Sequence, residues 1–215
     1  MFFKRTISYN RAISIETAGE ARTKGKLKLA IAEYKKILAA DPADQAVLMK
    51  IAPLLAQAKN YPEAWKSFKA AAERYEKGGF FNKAVGVYTH ASRCMPKETS
   101  VWEALCSLYL TQGLKADAAG VLMKGHLNFL GRKHRDKAVK LLKGAFDIQP
   151  WFFEPTYALA GLLSKTGRKK EALDLLDGLA ERKTAEKRRK ALWAAFRISP
   201  GPGRAWRWVK AAVKG

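Results

Sequence analysis

The chain has 215 residues, of which 48% are hydrophobic and 28% are charged, so it can bury a core and is not a disordered tail. Lys and Arg number 41 against 19 Asp and Glu, and residues 119–215 alone hold 22 basic and 8 acidic side chains. This uneven positive charge indicates that the C-terminal half meets something anionic. The two cysteines, Cys94 and Cys106, are too few and too far apart in sequence to indicate a disulfide framework or a zinc cluster. A reduced, cytoplasmic setting is therefore expected.

The N-terminal residues 1–10 are predicted to be an unstructured lead-in to the first helix, because they lack the apolar stretch of a secretory signal. Arg5, Arg11 and the absence of an acid before Glu16 leave an organelle transit peptide or a surface-lying anchor as alternatives. Farther along the chain, no apolar run approaches the roughly 18 residues that a membrane-spanning helix needs.

One pattern recurs along the chain: a small residue, a bulky residue four positions later, a small or aliphatic residue three after that, and then a proline. Full copies start at equal intervals, at Ala30, Ala84 and Ala138, and a degraded copy follows after a slightly shorter interval, at Arg188. Partial copies start at the same equal intervals, at Ala64, Ala118 and Ala172. Such regularity over most of the chain indicates internal structural repeats.

Each copy is typical of a helix that packs closely against its neighbours. Residues four apart share a helical face, so the small and the bulky side chain form a notch and a knob together. The proline ends the helix, and Asp44, shortly after Pro42, is placed to cap the next one. The pattern predicts about twelve helices, the first over residues 11–23 and the last over 203–213. Pro53 is expected to kink its helix or to delay its start.

The segment Trp102-x2-Leu105-Cys106-x2-Tyr109, followed by Gly113 and Ala118, resembles the signature of the tetratricopeptide repeat family, with Cys106 in place of the small glycine. The interval from each full copy to the next partial copy equals the period of that family, about 34 residues. The resemblance implies an all-α, tetratricopeptide-like α-solenoid, a right-handed superhelix of antiparallel helix pairs over residues 11–200. Residues 201–215 are then a basic helix that caps the stack.

The repeats depart from the regular family pattern in their spacing. A shorter step, such as that from Ala64 to Ala84, alternates with the family period, so the helix that closes one repeat is expected to open the next. Residues 61–77 and 116–130 are predicted to be these shared helices, which gives a three-helix unit of about 54 residues. Arg188 stands where a closely packed alanine is expected, so the last copy departs further.

Arrays of this family present the inner faces of their opening helices as a concave groove, which implies a set of candidate binding residues here. They are mostly small, apolar or neutral: Ile15, Gly19, Arg22, Met49, Pro53, Ala56, Glu103, Ser107, Leu110, Tyr157, Gly161 and Ser164. The lysine and asparagines of the members that grip chaperone tails are not among them, so that activity is not predicted. The alternative is that these residues only pack helix against helix.

Basic clusters in the C-terminal half are the second candidate site. They are Lys133, Arg135 and Lys137; Arg168, Lys169 and Lys170; Arg182, Lys183, Lys187, Arg188, Arg189 and Lys190; and Arg204, Arg207, Lys210 and Lys214. These clusters are predicted to line one edge of the stack of helices and to bind nucleic acid, lipid or an acidic protein there. Lys183, Lys187 and Lys190 are predicted to project from one helical face. Trp206 and Trp208 offer a surface for stacked bases or an anchor in anionic lipid, and the alternative is a solvated basic face.

The sequence contains no catalytic constellation. His90, His126 and His134 have no spacing that would pair them as metal ligands, and neither cysteine has an activating neighbour. We therefore expect no enzymatic activity, no metal and no cofactor. The function predicted first is a scaffold or adaptor that binds a protein or peptide segment in its groove, with acidic partners favoured. The alternative is binding of RNA, the ribosome or an anionic membrane surface through the basic C-terminal half.

Overall fold

The computed structural model describes residues 10–213, and within them every regular element is helical. The α-helices are α1 Arg11–Thr23, α2 Leu27–Ala40, α3 Gln45–Gln57, α4 Tyr61–Lys77, α5 Phe81–Cys94, α6 Thr99–Thr111, α7 Lys115–His126, α8 Arg135–Ile148, α9 Phe153–Lys165, α10 Lys169–Arg182, α11 Ala185–Ile198 and α12 Pro202–Val213. The prediction of an all-α repeat fold of about twelve helices is confirmed. Lys214 and nearly all of the predicted lead-in, with its possible targeting role, lie outside the described residues. Between residues 10 and 213, none of the helices combines the length and the apolar character needed to span a bilayer.

The chain divides into two compact units, Met1–Pro96 with α1 to α5 and Lys97–Gly215 with α6 to α12. Within each unit, every helix packs against the next one along the chain, as in a helical solenoid. Three groups of helices repeat one arrangement: α3 to α5, α6 to α8, and α9 to α11, called triplets below. In each triplet the middle helix packs on both outer helices, and the two outer helices also touch each other. The three-helix unit predicted from the spacing is therefore present.

Helix α4 is the shared helix predicted for residues 61–77. It runs unbroken past residue 70 and packs on both α3 and α5. Phe68 and Ala71 are fully buried, and Trp65 is half-buried with its ring centroid 5.8 Å from that of Tyr88 on α5. One continuous helix thus supplies the core contacts of both its neighbours.

The second shared helix is shorter than predicted. Helix α7 ends at His126 rather than at residue 130, and the chain continues as a tighter 3-10 turn, Leu127–Phe129. The side-chain amide of Asn128 donates to the carbonyl of Gly125 at 3.0 Å, and thus satisfies an acceptor at the end of the helix. The tighter turn places Phe129 in the core, where it is almost fully buried.

Small residues occupy the closest helix contacts, as the repeat pattern predicts. The six repeat alanines have no exposed surface: Ala30, Ala64, Ala84, Ala118, Ala138 and Ala172. In the degraded fourth copy, Arg188 is exposed instead, and α11 buries Ala191, Leu192 and Ala195 farther along. That copy keeps its helix but loses the buried small residue at its first position.

Helix α3 starts earlier than Pro53 would suggest. The side chain of Asp44 accepts a hydrogen bond from the amide of Val47 at 3.1 Å, so the predicted cap starts the helix at Gln45. Pro53 lies well inside the helix, and the expected delay of the start does not occur.

Five of the described connections between helices contain a residue with a positive φ two positions after the last residue of the first helix. Glycine fills this position at Gly25, Gly79, Gly113 and Gly167, and Lys59, with a φ of 61°, fills it between α3 and α4. The amide of Lys59 donates to the carbonyl of Ala56, and the next amide donates to that of Leu55, both at 2.9 Å. This bonding at a helix end normally selects glycine, so Lys59 is the strained member of the set.

We expect Lys59→Gly to raise the free energy of unfolding by about 1 kcal/mol. A non-glycine residue in the left-handed region costs roughly 1–2 kcal/mol, which the substitution removes. Part of this stabilisation is lost because glycine has more conformational freedom in the unfolded chain. Urea unfolding followed by circular dichroism measures the change. Lys59→Ala removes the same charge but keeps the Cβ atom, and should shift stability by less than about 0.5 kcal/mol. Equal stability of the two variants would contradict the assignment of strain to this turn.

Candidate functional site

The predicted groove residues of the N-terminal unit lie on α1 and α3. Arg22 is exposed near the end of α1, and Ile15 is half-buried on the same helix. Met49 is half-buried on α3, a helix that packs on both α4 and α5. Ala56, farther along α3, is buried in the core.

Helix α6 carries Glu103, Ser107 and Leu110 on one face, since steps of four and three residues follow the helical turn. The Oε1 atom of Glu103 lies 2.6 Å from Nζ of Lys140 on α8, so this carboxylate pairs with the other outer helix of its own triplet. Ser107 and Leu110 are exposed. The free part of this face is therefore a short stretch with one apolar and one hydroxyl side chain.

A cleft of about 530 Å³ opens among α9, α10 and α11, and it gathers the predicted groove residues of α9. We call it the α9–α11 cleft; its walls are Tyr157, Gly161, Ser164, Lys165, Lys169, Leu176, Trp193, Ala194, Arg197 and Ile198. Tyr157, Gly161 and Ser164 come together because they share one face of α9. Lys169, predicted as an anion-binding residue, begins α10 at the same cleft.

Trp193 is the main residue of this cleft that sequence reasoning missed. Its side chain is 41% exposed, and its ring centroid lies 4.9 Å from that of Trp208 on α12 and 5.7 Å from that of Phe196. On the opposite wall, the ring of Tyr157 stacks on Phe153 with centroids 5.2 Å apart. Each of these two rings thus packs against a second ring, which gives a preformed apolar contact surface.

The charge of the α9–α11 cleft is positive. Lys165, Lys169 and Arg197 belong to its walls, and among the described residues that line it there is no carboxylate. Aromatic rings and cations around one cleft suit a ligand that combines an apolar side chain with negative charge.

Several of the predicted anion-binding residues are already paired with carboxylates of the protein. Arg168 donates two hydrogen bonds to Glu171, at 2.7 and 2.6 Å, and these bonds lower the pKa of that carboxyl. Arg204 and Arg207 both bind Asp177 of α10, at 3.2 and 2.9 Å, and so attach α12 to that helix. These three cations are partly neutralised, which reduces their attraction for an external anion.

The other members of the predicted set differ in their surroundings. Arg135 donates to the carbonyl of Lys165 at 3.3 Å, Lys187 lies 3.6 Å from Glu154, and Lys190 lies 2.6 Å from Glu186. Lys133, Lys169, Lys170 and Arg189 are also exposed.

The prediction that Lys183, Lys187 and Lys190 project from one helical face is wrong. Helix α10 ends at Arg182, and Lys183 has an extended backbone with φ −116° and ψ 160°. Helix α11 begins only at Ala185, so helical spacing does not relate Lys183 to the two other lysines. A charge run that reads as continuous in the sequence is divided by a break between two helices.

Comparisons with known proteins give one family match and a set of solved structures of low sequence identity. A family described as "Tetratricopeptide repeat" matches residues 129–195, which include α8, α9 and α10 and most of α11. Among solved structures, a crystal structure of MamA is 19% identical over 92% of this chain and 93% of that chain, with a TM-score of 0.33. A tetratricopeptide repeat protein from Parabacteroides merdae is 13% identical over 94% and 98%, with a TM-score of 0.28. Yeast Tom70 is 16% identical over 88% and 40%, with a TM-score of 0.32. No curated protein sequence matches the chain.

Proposed function

We propose that this chain, which is a tetratricopeptide repeat protein, is a non-enzymatic scaffold that binds a segment of another protein in the α9–α11 cleft. The observation that carries the proposal is that Trp193, Tyr157 and Arg197 line one cleft, where two aromatic rings, each packed on a second ring, share the cavity with cationic side chains. Aromatic and arginine side chains in preformed pockets carry most of the binding energy in protein interfaces.

The cleft favours a short acidic segment with at least one apolar side chain. Helix α9 has 13 residues and is therefore roughly 20 Å long, which matches about six residues of an extended chain. An apolar side chain of the ligand contacts Trp193 and Tyr157, while its carboxylates lie near Lys169 and Arg197. Part of the affinity is then electrostatic and decreases as the salt concentration rises.

A defined peptide library tests this proposal. Nine-residue peptides that combine Asp or Glu with Leu, Phe or Trp are displayed, and the Kd of the selected sequences is measured by fluorescence anisotropy. We expect Trp193→Ala to weaken the selected peptides by about tenfold or more, since truncation of a central aromatic anchor typically costs over 1 kcal/mol. The double variant Lys169→Gln/Arg197→Gln is expected to weaken them mainly at low salt.

Trp206→Ala is the matched control, because Trp206 is 67% exposed on α12 and does not line the cleft. It should leave the Kd of the selected peptides within about twofold. Thermal unfolding of each variant separates loss of binding from loss of fold. Selected peptides that bind the Trp193 and Lys169/Arg197 variants as tightly as the parent would refute the proposed site.

A further inference from the structure

A second concavity, distinct from the α9–α11 cleft, lies where the end of α10 meets α11 and α12. Its volume is about 480 Å³. We call it the α11–α12 pocket; its walls are Lys183, Ala185, Arg188, Leu192, Arg207, Lys210 and Ala211. Four of these residues are cations, none is an acid, and none lines the α9–α11 cleft. The pocket is therefore a separate site with its own strongly positive charge.

Most of this charge is not neutralised by the protein. Arg207 pairs with Asp177, but within residues 10–213 no carboxylate oxygen lies within 4.0 Å of Lys183, Arg188 or Lys210. Lys187 and Lys190, nearby on α11, do have such partners in Glu154 and Glu186. Like charges around one concavity repel each other, and a bound anion would relieve that repulsion.

One of the pocket cations, Arg188, stands at a position where the repeat pattern has alanine. The corresponding residues of the three full copies, Ala30, Ala84 and Ala138, are fully buried. At that position the fourth copy has Arg188, which is exposed and lines the pocket. A residue that departs from the packing rule of its own repeats, and instead adds charge to a concavity, is a candidate for ligand binding.

We propose that the α11–α12 pocket binds a phosphate group with two negative charges, as in inorganic phosphate, pyrophosphate or the phosphate monoester of a lipid headgroup. The guanidinium of Arg188 can donate two parallel hydrogen bonds to phosphate oxygens, and Lys183 and Lys210 add compact point charges. Leu192 and the two alanines also line the pocket and place apolar surface beside these cations. Cations that surround a single concavity suit a compact anion better than the extended backbone of a nucleic acid.

Isothermal titration calorimetry of the full chain with pyrophosphate tests the proposal. The pocket variant is Lys183→Gln/Arg188→Gln/Lys210→Gln, and the control variant Lys187→Gln/Arg189→Gln/Lys190→Gln removes the same number of charges outside the pocket. We expect the pocket variant to bind pyrophosphate at least about tenfold more weakly and the control to stay within about threefold of the parent. Arg188→Ala restores the residue of the other repeats, so it should fold normally and still bind several times more weakly than the parent.

Vesicles distinguish the two sources of the phosphate. If the parent binds phosphatidic acid vesicles but not phosphatidylcholine vesicles, and the pocket variant loses this binding, the ligand is a lipid headgroup. Pyrophosphate binding without vesicle binding assigns a free phosphate ligand. The proposal is overturned if the parent does not bind pyrophosphate, if both triple variants lose affinity equally, or if a single-stranded RNA oligonucleotide binds while pyrophosphate does not.

Discussion

Replacing Phe68 with alanine is expected to lower the free energy of unfolding by about 3–5 kcal/mol, the usual cost of removing a buried aromatic ring. Phe68 is fully buried in α4, and its ring meets His90 of α5 edge-on with centroids 5.4 Å apart. Because α4 packs on both α3 and α5, a shift of one neighbour cannot close the cavity. The loss should therefore fall near the upper end of that range.

Guanidinium unfolding followed by circular dichroism measures this loss. Phe81→Ala is the matched control, since Phe81 begins the neighbouring helix α5 and is 39% exposed, and it should cost about 1 kcal/mol or less. A loss below about 1 kcal/mol for Phe68→Ala would show that α4 is not the shared core of its triplet.

Gly125→Ala is expected to destabilise the protein by about 2–3 kcal/mol, as overpacking of a dense core does. Alanine at an open helical position normally gains about 1 kcal/mol over glycine, so the expected sign is reversed. A Cβ atom on Gly125 would lie 2.7 Å from Cδ2 and 2.8 Å from Cγ of Trp102, on the part of the indole nearest its own backbone. Trp102 is buried, so its ring cannot swing away.

The first triplet supplies the compensating substitution. Leu48 and Ala71, each one repeat unit earlier in the sequence, stand where the second triplet has Trp102 and Gly125, and both are buried. Trp102→Leu/Gly125→Ala copies that pair, so it should recover part of the stability that Gly125→Ala loses. Gly120→Ala is the control on the same helix, because its added methyl group meets nothing within 4 Å and should stabilise by up to about 1 kcal/mol. Chemical unfolding of these three variants and the parent is the measurement, and equal effects of Gly120→Ala and Gly125→Ala would contradict the close contact.

The fold was predictable because its information is local. Ala84 and the bulky Tyr88 four residues later specify both a helix and the face that it buries, and both residues are buried. A 3-10 turn that ends α7 early was not predictable, since it depends on the side chain of Asn128 reaching Gly125 and on Phe129 finding the core.

Only those residues of the candidate site that lie together on one helix could be predicted from the sequence. Tyr157, Gly161 and Ser164 share a face of α9 by spacing alone, and they do line one cleft. Trp193 and Arg197 complete that cleft from α11, and no spacing rule relates residues on different helices. The ion pair between Glu103 and Lys140 was missed for the same reason. Tertiary packing of the triplet, rather than helical periodicity, brings these side chains together.

The triplet arrangement also determines how the chain can fold. A helix contacts mainly the next helix and, within a triplet, the one after it, so the pairings link segments close in sequence and little loop entropy is lost in forming them. Proteins built in this way can begin to fold at any repeat and extend from there. The first two triplets can therefore form on the ribosome once their third helices, α5 and α8, have emerged, before α12 is synthesised. The two arginines of α12 that bind Asp177 belong to the last stage of that process, because α12 is the last of the described helices to be synthesised.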